Sequence, residues 1–174
     1  MKQHKIFSTP LWIIERTPPQ LVDNLYNKGL EIKQQGYNDK ERSNQGGYQT
    51  KQLDFEEFHP EGIEYLNGII SKTFKSPNWK IIAWWYNINP KGSWNAAHTH
   101  QGVDLVLIWY LTDSYSTLNL MNPSRLKVYT ESNLTIDSHK GDIIIFPADI
   151  VHYVMPNPKE TDRMSISMNL QYVH

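Results

Sequence analysis

Three histidines in the second half of the sequence have the spacing of metal ligands. His98 and His100 form an H-x-H pair within GSWNAAHTHQGVD, and His152 lies within GDIIIFPADIVHYVMP. In an extended segment, residues two apart point to the same face and lie about 7 Å apart along the strand. The two imidazoles of the pair can therefore converge on one ion, and imidazole suits Fe, Zn, Cu and Ni. These residues form a candidate metal site.

A second candidate feature is the polar face of the last predicted strand. Polar and apolar side chains alternate along it: the polar ones are Arg163, Ser165, Ser167 and Asn169, and the apolar ones are Met164, Ile166, Met168 and Leu170. A guanidinium fork matches a carboxylate, and a hydroxyl two residues further along can share that ligand. The polar face either faces solvent or lines a wet cavity that holds a polar ligand.

The composition is that of one globular domain, and it excludes several kinds of chemistry. The 174 residues are 39% apolar, 12% aromatic and 20% charged, with a net charge of −1. This balance argues against a nucleic-acid partner, because phosphate binding relies on clustered positive charge. The sequence has no cysteine, which excludes disulfides, thiolate metal sites and cysteine nucleophiles. No apolar run approaches the ~20 residues of a membrane helix, and no secretory signal pattern is present. We therefore expect a cytoplasmic protein without membrane contact.

The first third of the chain is predicted to be helical. A short strand at 11–15 precedes a helix that begins after Thr17, the expected N-cap, and ends at Gly36. A polar loop at 38–50 follows, and apolar residues at helical spacing predict a second helix at 61–74.

The remainder of the chain reads as strands separated by clusters of Gly, Pro, Asn, Ser and Asp. The predicted strands are 80–89, 104–112, 116–121, 125–130, 133–136, 142–146, 151–155 and 164–172. About eight short strands at this spacing suggest a sandwich or barrel, with the two helices covering one outer face. The prediction is one domain over 1–174, in which a helical part at 1–76 packs on a barrel core at 77–174.

The order and spacing of the motifs resemble the Fe(II)/2-oxoglutarate-dependent oxygenases. His152 follows His100 by 52 positions, and the R-x-S of Arg163 follows His152 by 11. In that superfamily a double-stranded β-helix carries H-x-D/E, a distal histidine and, about ten residues later, an R-x-S that binds the co-substrate's distal carboxylate. One subgroup, a family of such oxygenases common in marine bacteria and their phages, is similar over nearly the whole chain. The similar segments are FSTPLW, SNQGGYQT, WYNINPKGSWNAAHTH, LNLMNPSR, GDIIIFPADIVHYVMPN and RMSISMNL.

The resemblance implies a mostly β fold with N-terminal helices, a double-stranded β-helix of the jelly-roll or cupin-like kind. It implies a bacterial or phage-encoded 2-oxoglutarate-dependent Fe(II) dioxygenase, a hydroxylase of an unidentified substrate, with Fe(II) as cofactor and 2-oxoglutarate as co-substrate. Arg163 and Ser165 would hold the distal carboxylate of 2-oxoglutarate. Strand parity adds Tyr110 as a partner for a co-substrate carboxylate and Asn87 as a partner for a ligand oxygen.

The third metal ligand stays open between two residues. The superfamily supplies a carboxylate in the H-x-D/E position, whereas this chain has His100 there. The nearest carboxylate is Asp104, four residues further on. The ligand set is therefore His98, His152 and either His100 or Asp104.

Two alternative functions fit the same scaffold. The patterns G-x5-H-x-H-x3-D and G-x5-P-x4-H also resemble cupin motifs, which would give a metal-dependent enzyme or small-molecule binder that does not use 2-oxoglutarate. The other alternative is a structural module without catalytic activity. The retained Arg163-x-Ser165 strand favours the oxygenase, and a homodimer through the helical face is a further expectation.

Overall fold

The computed structural model describes residues 8–15, 17–36, 43–51, 59–124 and 132–174. These ranges contain two helices and eleven strands. The helices are α1 (Pro19–Gln34) and α2 (Pro60–Phe74). The strands are β1 (Trp12–Ile14), β2 (Asn44–Gln45), β3 (Tyr48–Gln49), β4 (Trp79–Asn89), β5 (Trp94–His98), β6 (Leu105–Tyr110), β7 (Leu118–Met121), β8 (Asn133–Ile136), β9 (Ile143–Pro147), β10 (His152–Val154) and β11 (Arg163–Tyr172).

The strands form two antiparallel sheets. One has six strands in the order β1-β9-β6-β11-β4-β3, and the other has five in the order β2-β5-β10-β7-β8. The short β2–β3 segment joins the sheets, because β2 pairs with β5 and β3 pairs with β4. Gly46 allows the turn between these strands, since its φ of +73° lies in the left-handed region. This arrangement confirms the predicted double-stranded β-helix.

Both helices pack on the outer face of the six-stranded sheet. Val22 and Leu25 of α1 and Leu66 of α2 share one buried cluster with the outward-facing residues of that sheet. The hydroxyl of Tyr86 on β4 donates a 2.8 Å hydrogen bond to the carbonyl of Leu25. Proline in the first turn suits both helix starts, because its missing N–H has no partner there.

The alternation along β11 separates this outer core from the barrel interior. Its apolar side chains, Met164, Ile166, Met168 and Leu170, belong to the cluster under the helices. Arg163, Ser165 and Ser167 on the opposite face are 4%, 5% and 7% exposed. The polar face therefore lines a cavity between the sheets instead of facing solvent.

Several sequence predictions differ from the structure in detail. Thr17 is not the N-cap of α1; its hydroxyl donates to the carbonyl of Gly141 at 2.7 Å, and the capping position is Pro18. Strands β2 and β3 lie within the segment predicted as a polar loop, and β5 was not among the predicted strands. The predicted strand at 125–130 lies outside the described residues.

The contact between α1 and the sheet leads to a stability prediction. A Cβ added at Gly29 would lie 2.7 Å from the sulfur of Met164 and 2.8 Å from a ring carbon of Tyr86, whereas one added at Gly68 in α2 meets nothing within 4 Å. We expect Gly29→Ala to destabilise the protein by about 1–3 kcal/mol through overpacking. The matched Gly68→Ala should stabilise it by up to about 1 kcal/mol, because alanine is the better helix former. Urea denaturation checks both values, and equal effects of the two substitutions would contradict the packing argument.

Candidate metal centre

The strand register brings two of the predicted ligands face to face. His98 ends β5 and His152 begins β10, and their Cα atoms are direct partners in the antiparallel pairing. Their ring centroids lie 4.2 Å apart. His152 is 3% exposed, at the interior face of the five-stranded sheet.

His100 completes a cluster of three imidazoles from a position just beyond β5. Its backbone N–H donates to the carbonyl of Ala148 at 2.9 Å, which ties the segment to the turn after β9. Its ring centroid lies 5.2 Å from that of His98 and 5.1 Å from that of His152. One ligand atom from each of the three histidines lies within 4.8 Å of the other two. This spacing can hold one metal ion.

Each of the three rings has a carbonyl oxygen against its Nδ1 atom. The acceptors are the backbone oxygen of Ala96 for His98 at 2.6 Å, that of Ile150 for His152 at 2.9 Å, and the side-chain oxygen of Asn169 for His100 at 2.6 Å. A carbonyl oxygen only accepts, so the proton of each neutral ring lies on Nδ1. The Nε2 lone pairs are then free, and this is the arrangement usual for metal-binding histidines.

The environment keeps these rings neutral. Burial is the main cause that lowers the pKa of His98 and of His100 below 6.5. Burial, reinforced by the neighbouring His98, lowers the pKa of His152 to about 3. Protons therefore compete with a metal ion for these nitrogen atoms only at a lower pH than the pH at which they would compete for a free imidazole.

Asp104 lies apart from the three-histidine cluster. Its carboxylate accepts the backbone N–H of Tyr172 at 2.7 Å, and its own backbone bonds to Leu170 and Ala148. The metal-ligand group found among the described residues consists of His98, His100 and His152 without Asp104. This geometry favours His100 as the third ligand.

Arg163 is a buried cation whose hydrogen-bond partners are neutral. It is 4% exposed, and its guanidinium donates to the hydroxyl of Ser116 at 2.6 Å and to the amide oxygen of Asn95 at 2.9 Å. None of the ion pairs in the described ranges involves Arg163. An unpaired buried charge costs several kcal/mol, and burial lowers the pKa of Arg163. The site is therefore suited to an anionic ligand.

One cavity between the sheets is lined by every predicted site residue except Asp104. Its lining includes His98, His100, His152, Arg163, Ser165, Tyr110 and Asn87, and also Ser43, Trp85, Asn95 and Ser167. Asn87 donates to the hydroxyl of Ser167 at 2.9 Å, and burial raises the pKa of Tyr110, which keeps its hydroxyl protonated. A candidate metal-binding group and a candidate anion-binding group thus line one cavity.

Sequence comparison decides what kind of site this is. A family model described as "Putative 2OG-Fe(II) oxygenase" matches residues 83–169, half of the chain and the part that carries the cavity. The chain belongs to this family. It is a 2-oxoglutarate- and Fe(II)-dependent oxygenase, with Fe(II) as cofactor and 2-oxoglutarate as co-substrate. Comparison with curated protein sequences gives no match.

Solved structures of low sequence identity share the fold of this oxygenase. A prolyl-4-hydroxylase from Pseudomonas putida aligns with a TM-score of 0.71 at 13% identity, over 96% of this chain and 95% of its own. A viral collagen prolyl hydroxylase from Paramecium Bursaria Chlorella virus-1, solved with 2OG, gives 0.66 at 14% identity over 94% and 96%. HygX from Streptomyces hygroscopicus, solved with nickel and 2-oxoglutarate, gives 0.67 at 10% identity over 95% and 84%. These similarities concern the fold.

The donor set of this oxygenase fits Fe(II). Three neutral imidazoles with free Nε2 lone pairs are suitable nitrogen ligands for it, although the set contains no carboxylate. Family membership also decides against the cupin and inert-module alternatives. Neither α1 nor α2 has the length and apolar content of a membrane-spanning helix.

Three residues important for the site were not recognised as such in the sequence. Asn95 and Ser116 hold the guanidinium of Arg163, and Asn169 bonds to His100. The alternation of β11 placed Asn169 on the polar face, but nothing in the sequence named its partner. Simple alternation would place Asn95 and His98 on opposite faces of β5, because they are three residues apart. A register shift changes this: Asn95 pairs with Val154 and His98 pairs with His152, which are only two residues apart.

The ligand set leads to a metal-binding prediction. His152→Ala and His98→Ala should each abolish stoichiometric Fe(II) or Mn(II) binding, because each substitution leaves only two of the three imidazole donors. His100→Ala should do the same, whereas Asp104→Ala should leave metal affinity within about twofold of wild type. Anaerobic titration with a competing chelator measures each affinity. Loss of binding in Asp104→Ala together with retention in His100→Ala would restore the carboxylate alternative.

Proposed function

We propose that His98, His100 and His152 bind the Fe(II) of this oxygenase and that Arg163 and Ser165 bind the distal carboxylate of 2-oxoglutarate. The observation that carries the proposal is that one cavity contains both a set of free nitrogen lone pairs and a buried cation without an anionic partner among the described residues. Three imidazoles present free Nε2 lone pairs, and a buried guanidinium has only neutral partners. A metal ion and a dicarboxylate would satisfy both.

Each group has a separate task in this proposal. The three histidines would hold Fe(II), which when bound would supply the redox chemistry that links oxidative decarboxylation of 2-oxoglutarate by O2 to oxidation of a second, prime substrate. Arg163 fixes the far end of the co-substrate, since its fork can donate two parallel hydrogen bonds to a carboxylate. The hydroxyls of Ser165 and Tyr110 and the amide of Asn87 offer further partners for ligand oxygens. Val106, Ile108 and Val154 form the apolar part of the lining of the same cavity.

We assign the oxidation to the hydroxylase class. Prolyl hydroxylases among the proteins of the same fold prompt this assignment, and the product analysis described below tests it. Residues 1–174 act as a single oxygenase domain in this proposal, with the α1–α2 part serving as support for the six-stranded sheet.

Three sequence predictions about the surroundings of the enzyme stay predictions. The net charge of −1 argues against a nucleic-acid substrate, and a gel-shift assay would test that. A cytoplasmic location would suit a co-substrate drawn from central metabolism, and cell fractionation would test it. A homodimer through the helical face would be seen by analytical ultracentrifugation.

The proposed role of Arg163 leads to a co-substrate prediction. Arg163→Leu removes a charge-assisted hydrogen bond worth about 1.5–3 kcal/mol, so 2-oxoglutarate should bind roughly 10- to 150-fold more weakly. Arg163→Lys keeps the positive charge but not the forked pair of donors, so its affinity for 2-oxoglutarate should lie between those of wild type and Arg163→Leu. Metal affinity should change little in both variants. Calorimetric titration of 2-oxoglutarate into the anaerobic Mn(II)-loaded protein measures this, and equal affinity in wild type and Arg163→Leu would contradict the assignment.

A turnover prediction tests the reaction class. The wild-type protein with Fe(II), 2-oxoglutarate and O2 should release succinate without added prime substrate, and His152→Ala should release none. When a small-molecule extract is supplied, a hydroxylase should also convert at least one compound to a product heavier by one oxygen atom, detected by mass spectrometry. Succinate release that never coincides with such a product would contradict the hydroxylase assignment but not the metal site.

A further inference from the structure

We propose that Asn169 is a positioning residue whose amide oxygen holds the ring of His100 in the orientation and tautomer of a metal ligand. This inference rests on the proposed metal site and identifies the side chain on which its third ligand depends. The inference is based on the 2.6 Å hydrogen bond between the Nδ1 atom of His100 and the Oδ1 atom of Asn169.

The three histidines differ in what orients them. His98 and His152 each bond to the backbone carbonyl two residues earlier in their own segments, Ala96 and Ile150. These acceptors are main-chain atoms, so no side-chain substitution removes them. His100 instead bonds to a side chain 69 positions away in sequence. Its orientation can therefore be lost while the ligand itself stays in place.

The position of His100 explains why it needs this partner. β5 ends at His98, so His100 lies outside the ladder that fixes the other two ligands. Its ring is held by two strands of the opposite sheet: Asn169 on β11 bonds to Nδ1, and Trp85 on β4 stacks on the ring at 5.6 Å with an interplanar angle of 25°. Stacking fixes the plane of the ring but still allows a 180° flip about the Cβ–Cγ bond, which puts carbon atoms where the two ring nitrogens were.

The hydrogen bond to Asn169 removes that remaining freedom. Because Oδ1 only accepts, it selects the ring with its proton on Nδ1 and leaves the Nε2 lone pair free. A flipped ring, or one protonated on Nε2, offers no lone pair to the ion. Outer partners of this kind typically account for 10- to 100-fold in metal affinity.

Two substitutions at position 169 separate positioning from support of the fold. Asn169→Leu keeps the branched shape and the number of heavy atoms of the side chain and removes the acceptor, so Mn(II) and Co(II) should bind 10- to 100-fold more weakly. Asn169→Asp keeps an acceptor and makes the imidazole more basic, so it should bind these ions at least as tightly as wild type. Chelator competition under anaerobic conditions measures the affinities, and thermal denaturation of the metal-free proteins checks that both variants are folded.

A second readout does not depend on metal. Nitrogen-15 shifts of the histidine side chains in the metal-free protein report the tautomer, and His100 should be protonated on Nδ1 in wild type. Asn169→Leu should lose that preference at His100 while His98 and His152 keep theirs. Asn78→Leu is the matched control, because it is the same substitution at a half-buried asparagine that bonds to Tyr172 and does not line the cavity. It should leave metal affinity and all three tautomers unchanged.

The outcomes distinguish this inference from the metal-site proposal. If His152→Ala still binds one ion with wild-type affinity, the metal site itself is wrong. If His152→Ala loses the ion but Asn169→Leu binds it like wild type with an unchanged His100 tautomer, the positioning role alone is wrong. Equal loss of affinity in Asn169→Leu and Asn169→Asp would also overturn it, since a carboxylate should replace the amide oxygen.

Discussion

The site depends first on the antiparallel register that places His98 directly opposite His152. Side chains alternate along a strand, so a slip of one residue would turn an imidazole out of the barrel interior. The same pairing brings the two ring centroids within 4.2 Å of each other. Burial is the main cause that lowers the pKa of His152 to about 3, and the neighbouring His98 adds to it. Register and burial together keep nitrogen lone pairs available inside the protein.

The charge of the cavity follows from the same neutral donor set. Three imidazoles contribute no negative charge, Arg163 contributes a positive one, and no Asp or Glu is among the described residues that line the cavity. Fe(II) would add two further positive charges. A bound dianion such as 2-oxoglutarate would therefore balance most of the positive charge that the proposed metal site and Arg163 bring together. In this reading the co-substrate completes the electrostatics of the site as well as its coordination.

The sequence contains most of this fold and site, and what it lacks has identifiable physical causes. Alternation along β11 separated Arg163 and Ser165 from the apolar core, because an unbroken strand keeps its parity. Alternation does not predict the facing of side chains where a strand is irregular: a register shift in β5 brings Asn95 to the same side as His98. Partners that meet across the barrel, such as Ser116 with Arg163, have no local signal at all. The cap expected at Thr17 failed similarly, because Gly141 offers that hydroxyl a tertiary acceptor.

The chemistry at position 100 constrains its neighbour on β11. The superfamily pattern H-x-D/E, which this chain resembles, places a carboxylate where His100 stands, and a carboxylate needs a hydrogen-bond donor beside it. An imidazole ligand needs an acceptor at its Nδ1 atom instead. An asparagine can meet either need, because a rotation of its amide group exchanges the NH2 and the oxygen. Asn169 presents its oxygen to His100. Asparagine at this position is therefore compatible with both ligand types, and with His100 as the proposed third ligand an imidazole in place of a carboxylate would need no compensating substitution at position 169.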